Sequence, residues 1–363
     1  MKNKTLIVLG FITCALTINA QIRSHNDSIL VINNSSLQKP KLFSNLGESF
    51  CTPDAFAIDK NDELYLSVPN FNKHEVYGSK ICKFNSSNQP VTWLDSLPLH
   101  PKSKSVFPMG MAFGSDGNLY IADNQSSFGL AISRLLRVTI KNGKPIKTDV
   151  VVSGFNIANG VRSYKNRIYV SDTYFNVNDI YDQSGIYSFS IEELNHGTIQ
   201  LKENSSDSHI LCRFTTRVFN DKHEQGGVDG ITFDKEGNLY AGNFGDGVIS
   251  KIELTTDGKL KSQKIIIDSE TLRCCDGIYY YEKTNSVYIT NFNNNSVHVL
   301  DLNKKELKML WENGDNNGKD GFLDQPCDPV IYKNKLLIVN FDSFIGLKNS
   351  EADSFHTISY FDL

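Results

Sequence analysis

Asp54, Asn159, Asp229, Asp276 and Asp328 each stand at the same point of a pattern that recurs along the chain, directly before a short apolar run, and only Met109 breaks the series. Carboxylates brought together by such a repeat repel one another and resist ionising unless a cation holds them. Calcium meets that demand: it accepts six to eight oxygen ligands from Asp, Asn, carbonyls and water in loose geometry. Zinc does not, because no His/Cys cluster has ligand spacing. Ordinary turn chemistry accounts for any one of these residues, since Asp-Gly and Asn-Gly are common turn formers. It explains all five less well, because a turn need not choose an acid or amide each time.

A second polar set closes the following apolar run of each copy: Asn70, Asn124, Asp172, Asn243, Asn291 and Asn340. Asparagine at a strand end commonly satisfies its own turn, so this set reads as structural, with Asn124 and Asn291 as additional candidates on the same face. His74 and His223 fall in neighbouring loops, where a histidine either shuttles protons or is simply solvated. Residues 173 to 184 form an aromatic loop suited to stacking on a sugar or closing a pocket, and equally to packing between units. Cys275 and Cys327 precede two of the aspartates and Cys51 lies close to a third, so one pair is placed to tie the ring closed, or each is a buried thiol. The polar turns Asp59 to Asp62 and Asp234 to Gly237 read as hairpin chemistry. Asn313 to Gly318 with Asp324 reads as a connector, lacking the flanking helices of a calcium-binding loop.

The elements that position these residues form six copies of one unit. Each has a small polar turn, an apolar strand, a second polar turn, and a strand such as Leu64-Tyr65-Leu66, Leu119-Tyr120-Ile121, Ile168-Tyr169-Val170, Leu239-Tyr240-Ala241, Val287-Tyr288-Ile289 or Leu336-Leu337-Ile338. Successive copies start 47 to 70 residues apart, the length of a four-stranded sheet with its turns. No long helical period interrupts them. The expected fold is all-β: a six-bladed β-propeller of four-stranded blades around a central channel, over residues 45–363, preceded by a leader (1–20) and an extension (21–44). In a propeller the innermost strand of each blade runs beside the channel, so both polar sets converge on one face.

The chain of 363 residues is 40% hydrophobic and 21% charged, enough for a large core. Lys2 and Lys4, the apolar run Leu6 to Leu16 and Thr17-Ile18-Asn19-Ala20 make a three-part export signal, which places the protein in the periplasm or outside the cell. Thr13 before Cys14 is too large for a lipidation site. No other segment is long and apolar enough to span a membrane. Without the leader, Lys+Arg falls from 37 to 35 against 41 Asp+Glu, a net charge of −6 that argues against nucleic acid as a partner. Of the seven cysteines six remain, and an oxidising compartment permits but does not require their pairing.

The stretch His223-Glu224-Gln225-Gly226-Gly227-Val228-Asp229-Gly230-Ile231-Thr232-Phe233-Asp234, with Asn238 to Gly245, resembles the calcium-site blade of the gluconolactonase and regucalcin family, related to diisopropyl-fluorophosphatase and, more distantly, the paraoxonases. The resemblance implies a six-bladed propeller that hydrolyses lactones, esters or phosphotriesters at a central calcium. It implies Asp229 and Asn159 as ligands, with Asp54 where the family carries Glu and Met109 where it carries another asparagine. The metal set expected here is Asp54, Asn159, Asp229 and Asp276, with Asp328 as a possible replacement, Asp229 as the catalytic carboxylate, and a lactone, ester or sugar derivative as the substrate. The alternative from another class is a non-catalytic propeller that binds a glycan, peptide or protein through the same face. A condensing enzyme of the strictosidine-synthase kind finds no amine-binding carboxylate to support it.

Overall fold

The computed structural model describes residues 29–32, 37–175, 183–202, 206–217, 226–343 and 356–363; the leader, most of the 173–184 loop and His223 lie outside them. Six separate sheets follow one another along the chain. Their innermost strands are Phe56–Ile58, Pro108–Phe113, Ala158–Tyr164, Val228–Phe233, Cys275–Tyr281 and Pro326–Tyr332, in blades 1 to 6. Each pairs antiparallel with the strand that follows it, as a hairpin-built blade requires. Residues with positive φ turn each of these hairpins: Asp62, Gly117, Lys165, Gly237 and Asn285 singly, and Lys333 with Asn334 in blade 6.

Apolar side chains fill six clusters, one in each gap between neighbouring blades. The tyrosine of the second strand is the largest repeated part of that filling: Tyr65, Tyr120, Tyr169, Tyr240 and Tyr288 each enter a different gap, and blade 6 supplies Leu337 instead. The six-bladed, four-stranded architecture expected from the repeat is therefore what forms. Helical structure among the described residues is confined to three-residue 3-10 turns, and no helix is long and apolar enough to cross a membrane.

The two described strands before residue 46 are part of the propeller. Lys41–Asn45 is the outermost strand of blade 6, antiparallel to Thr357–Asp362, so the two ends of the chain close the circle within one sheet. Leu30–Ile32 adds a fifth, parallel strand to blade 5 and Ile199–Gln200 does the same for blade 2, covering edges that would otherwise offer free backbone groups. All six cysteines of the described residues are buried and none forms a disulfide. No disulfide ties the ring: the Cys275 thiol donates to the Asn243 carbonyl (3.3 Å) and the Cys327 thiol reaches the Gln325 carbonyl (3.7 Å). The 313–318 segment is a self-bonded connector, Asn313 accepting the Leu323 N–H (3.0 Å) and donating back to its carbonyl (2.8 Å).

Candidate functional site

Five of the six innermost strands carry a β-bulge at the residues of interest. Pairing is interrupted between Pro108 and Met111, Ala158 and Val161, Val228 and Ile231, Cys275 and Ile278, and Pro326 and Pro329. Met109, Asn159, Asp229, Asp276 and Asp328 fall inside these interruptions, where a bulge re-aims a side chain that regular pleating would send elsewhere. The glycine that follows each of the first four is set by the next blade. A Cβ on Gly160 would stand 2.7 Å from the Asp229 carbonyl oxygen, one on Gly277 would stand 2.5 Å from that of Cys327, and on Gly110 and Gly230 it would overlap the Asn159 and Asp276 carbonyls. None of these four glycines has positive φ, so the Asp-Gly and Asn-Gly pairs are bulges packed blade to blade and not turns. Hydroxyls on the second strands satisfy the peptides after the ring residues: Ser67 with Ala55 N–H (3.0 Å), Ser171 with Gly160 N–H (2.7 Å) and Thr290 with Gly277 N–H (3.0 Å).

Asp54, Asn159, Asp229, Asp276 and Asp328 line one cavity in the channel, together with Arg162 and the bulge glycines. Its volume is about 20 Å³, room for a single water or a bare ion. Burial raises the carboxyl pKa of Asp54, with the charges of Asp276 and Asp328 adding to it. Burial likewise holds Asp229 well up, reinforced by Asp276, Asp54 and Asp328, and pushes Asp276 up to about 7, with Asp328 contributing.

Asp328 differs from the rest. Its Oδ1 accepts from Arg162 Nη2 (3.0 Å) and its Oδ2 from the Phe56 N–H (3.0 Å). The Arg162 guanidinium also donates to the Val161 carbonyl (3.0 Å), so the side chain spans the channel from blade 3 to blade 6. Asp54, Asp229 and Asp276 have no such partner among the described residues. Sequence reading passed over Arg162. Its signal was a cation at a repeat position where the other copies carry Ala57, Ala112, Thr232, Tyr279 and Ile331.

Met109 is 8% exposed and belongs to the apolar cluster between blades 2 and 3, so blade 2 contributes no donor. Asn124 and Asn291 do not line the cavity: Asn124 accepts the Ser126 N–H (3.0 Å), and Asn291 accepts from Asn294 N–H (3.2 Å) and donates to the Thr271 carbonyl (3.0 Å). In blade 2 the strand-end position belongs to Asp123, one residue earlier than the pattern suggested, where it accepts the Phe107 N–H (2.8 Å). His74 turns to the Phe71 carbonyl (3.0 Å) and meets the Phe107 ring edge-on, away from the carboxylates. Tyr174 and Phe175, the described part of the aromatic loop, are buried; Phe175 packs on Tyr187.

The donor set fits a hard cation in kind, being all oxygen, rich in carboxylate and short of positive charge once Arg162 is spent on Asp328. Among the described residues no three His, Cys, Asp or Glu side chains close on one point as a ready metal cluster. The carboxylates stand around the cavity wall instead.

No protein-family model and no curated protein sequence matches the chain. Solved structures do. A pyrroloquinoline-quinone-bound aldose sugar dehydrogenase from Streptomyces coelicolor superposes with a TM-score of 0.55 at 12% identity, over 90% of this chain and 98% of that one. A gluconolactonase from Xanthomonas campestris gives 0.54 at 10% identity, over 90% and 97%. The calcium-binding protein regucalcin from Agrobacterium tumefaciens gives 0.53 at 10%, over 92% and 94%. A fold that carries a quinone-bound dehydrogenase and a lactonase does not choose between reactions, so the site must. What the superpositions establish is that this chain has the six-bladed propeller fold of gluconolactonase and regucalcin over nearly its whole described length.

Proposed function

We propose that the protein is a calcium-dependent hydrolase of a lactone or related ester, exported by its N-terminal leader to the periplasm or beyond. The observation that carries this reading is the cavity in which three buried carboxylates, Asp54, Asp229 and Asp276, meet the Asn159 amide without any counter-charge of their own. Similarity in fold to a gluconolactonase and to regucalcin supports it.

These four residues would hold the ion. When bound, calcium supplies a positive centre that polarises a carbonyl and steadies the oxyanion formed on attack. Asp229 would take the proton of the attacking water on a carboxylate oxygen. Arg162 keeps Asp328 in place from across the channel.

Calorimetry on the chain from Gln21 tests the reading. Micromolar or tighter calcium binding, lost in Asp229→Ala, together with lactone or aryl-ester turnover that stops on calcium removal, is the expected result. Turnover unchanged by calcium removal, or no calcium binding, overturns it. Met109 in place of a donor favours a second reading, a propeller that binds a glycan, peptide or protein and catalyses nothing. Retained ligand binding with no turnover across a broad ester and lactone panel would decide for it.

A further inference from the structure

Four of the strand-end asparagines and their neighbours read Asn-Phe: Asn70-Phe71, Asn243-Phe244, Asn291-Phe292 and Asn340-Phe341. The backbone N–H of each phenylalanine is bonded to the segment leading into its blade's innermost strand. Phe71 donates to the Thr52 hydroxyl (2.8 Å), and Phe244, Phe292 and Phe341 to the carbonyls of Gly227, Cys274 and Gln325 (2.9 Å each). Those partners lie two or three residues before Asp54, Asp229, Asp276 and Asp328. Thr52, Cys274 and Gln325 take positive φ, so the path falls short of a fully extended one and the phenylalanine backbone lies within about 10 Å of the carboxylate positions.

The rings face one another across the blades. Centroids are 6.3 Å apart for Phe244 and Phe292, 5.8 Å for Phe292 and Phe341, and 6.2 Å for Phe341 and Phe71, after which Phe71 stacks on Phe107 at 4.4 Å and Phe107 on Phe128 at 5.8 Å. On a circle of six units the radius equals the step between neighbours, so this arc sits about 6 Å from the channel axis. Phe71, Phe244, Phe292 and Phe341 are each only half-buried. Blades 4, 5, 6 and 1, which carry Asp229, Asp276, Asp328 and Asp54, thus present on this face a wall of rings that carry no hydrogen-bonding atom. A polyhydroxylated ligand there would leave its hydroxyls unsatisfied on that wall, whereas an apolar one gains contact area.

The geometry points to a substrate with an apolar, ring-sized aryl or alkyl group that rests against the phenylalanine arc while its carbonyl end reaches the carboxylates. This assignment rests on the reading of the carboxylate cavity as the place where the ligand is worked on.

Non-hydrolysable lactams test it apart from turnover. γ-Butyrolactam and its 5-phenyl derivative are titrated calorimetrically into the calcium-loaded chain from Gln21, wild type beside Phe292→Ala and Phe244→Ala. Phe244 belongs to none of the core clusters, so its variant remains informative should Phe292→Ala fold poorly. The phenyl lactam is expected to bind at least about tenfold more tightly than the plain one, and the ratio to fall toward one in the variants while calcium affinity stays unchanged. Equal affinity for the two lactams, or a ratio that survives both substitutions, overturns the assignment. If no ester is hydrolysed yet the ratio and its loss are found, the hydrolase reading falls and the apolar subsite stands. If esters are hydrolysed and the ratio is one, the subsite falls alone.

Discussion

Two sets of Asp and Asn residues converge on one face of this propeller, and their side chains live under opposite conditions. At the strand ends, Asn70 accepts the Cys51 N–H (2.7 Å), Asp172 those of Asn156 (3.0 Å) and Ile157 (2.7 Å), and Asn340 that of Asp324 (3.1 Å). Each clips the approach of the innermost strand to the strand beside it, and each group is satisfied within its own blade. In the ring, Asp54, Asp229 and Asp276 hold to no partner among the described residues; burial raises the pKa of each, and the charge of Asp328 adds to it in all three. Residue type is the same in both sets; what differs is whether the fold itself uses the polar group. A buried carboxylate that the fold does not use raises the energy of the folded chain until a ligand arrives, and that is the mark of a binding position.

The contrast breaks first if a strand-end acid proves dispensable. Asp123 accepts from Arg134 Nε (2.7 Å), the Gln125 amide (2.6 Å) and the Phe107 N–H (2.8 Å), with both members of the ion pair almost wholly buried. Asp123→Ala leaves the guanidinium without its partner and should lower stability by about 3–5 kcal/mol, read as a shifted urea midpoint, with calcium affinity kept once the protein is folded. An effect under about 1 kcal/mol would erase the distinction between the two sets.

A partnered acid should also announce itself through pH. Asp342 lies two residues beyond the strand-end Asn340, and its carboxylate meets His356 Nδ1 at 2.9 Å, both side chains 1% exposed. Burial opposes the charge on His356, but Asp342 and the nearby Cys51 thiol outweigh it and push the imidazole up to about 9. An unfolded histidine titrates near 6.5. The folded state therefore holds the extra proton, so its stabilisation is complete below about pH 6.5 and disappears as pH rises through about 9. Urea unfolding from pH 6 to 9.5 should show a loss of about 2–3 kcal/mol that is absent in His356→Gln. A flat profile would mean that the pair carries no charge.

The fold was legible because six copies of a strand-turn-strand unit leave little else to build, and the Leu-Tyr strands name the side chains that fill the gaps. The ring was legible because five of the six copies place Asp or Asn at one position of the repeat. Three features were not. The glycines looked like turn formers because sequence does not show the neighbouring blade's carbonyls pressing on them. Arg162 looked like one polar residue among apolar strand residues, since its meaning depends on facing Asp328 across the channel. Asn124 was chosen over Asp123 because a one-residue shift at a strand end exchanges the group that points inward for one that turns out. The Asn-Phe dipeptides were visible, but a phenylalanine after a strand reads as more of the strand until its neighbours from other blades are in place.

The smallest expected effect sharpens the comparison most, because its sign is reversed. Removing one charge from the ring should strengthen the calcium-free protein: Asp276→Asn keeps the shape, abolishes repulsion with Asp54, Asp229 and Asp328, and should raise stability by about 1 kcal/mol at pH 7. The same substitution removes a donor, so added calcium should stabilise the wild type more than the variant, by a margin that grows with ion concentration as the linkage of binding to folding requires. Unfolding both proteins with and without the ion separates the two contributions. If Asp276→Asn destabilises the calcium-free chain as a strand-end substitution would, the ring is held together by its carboxylates and the two sets are one.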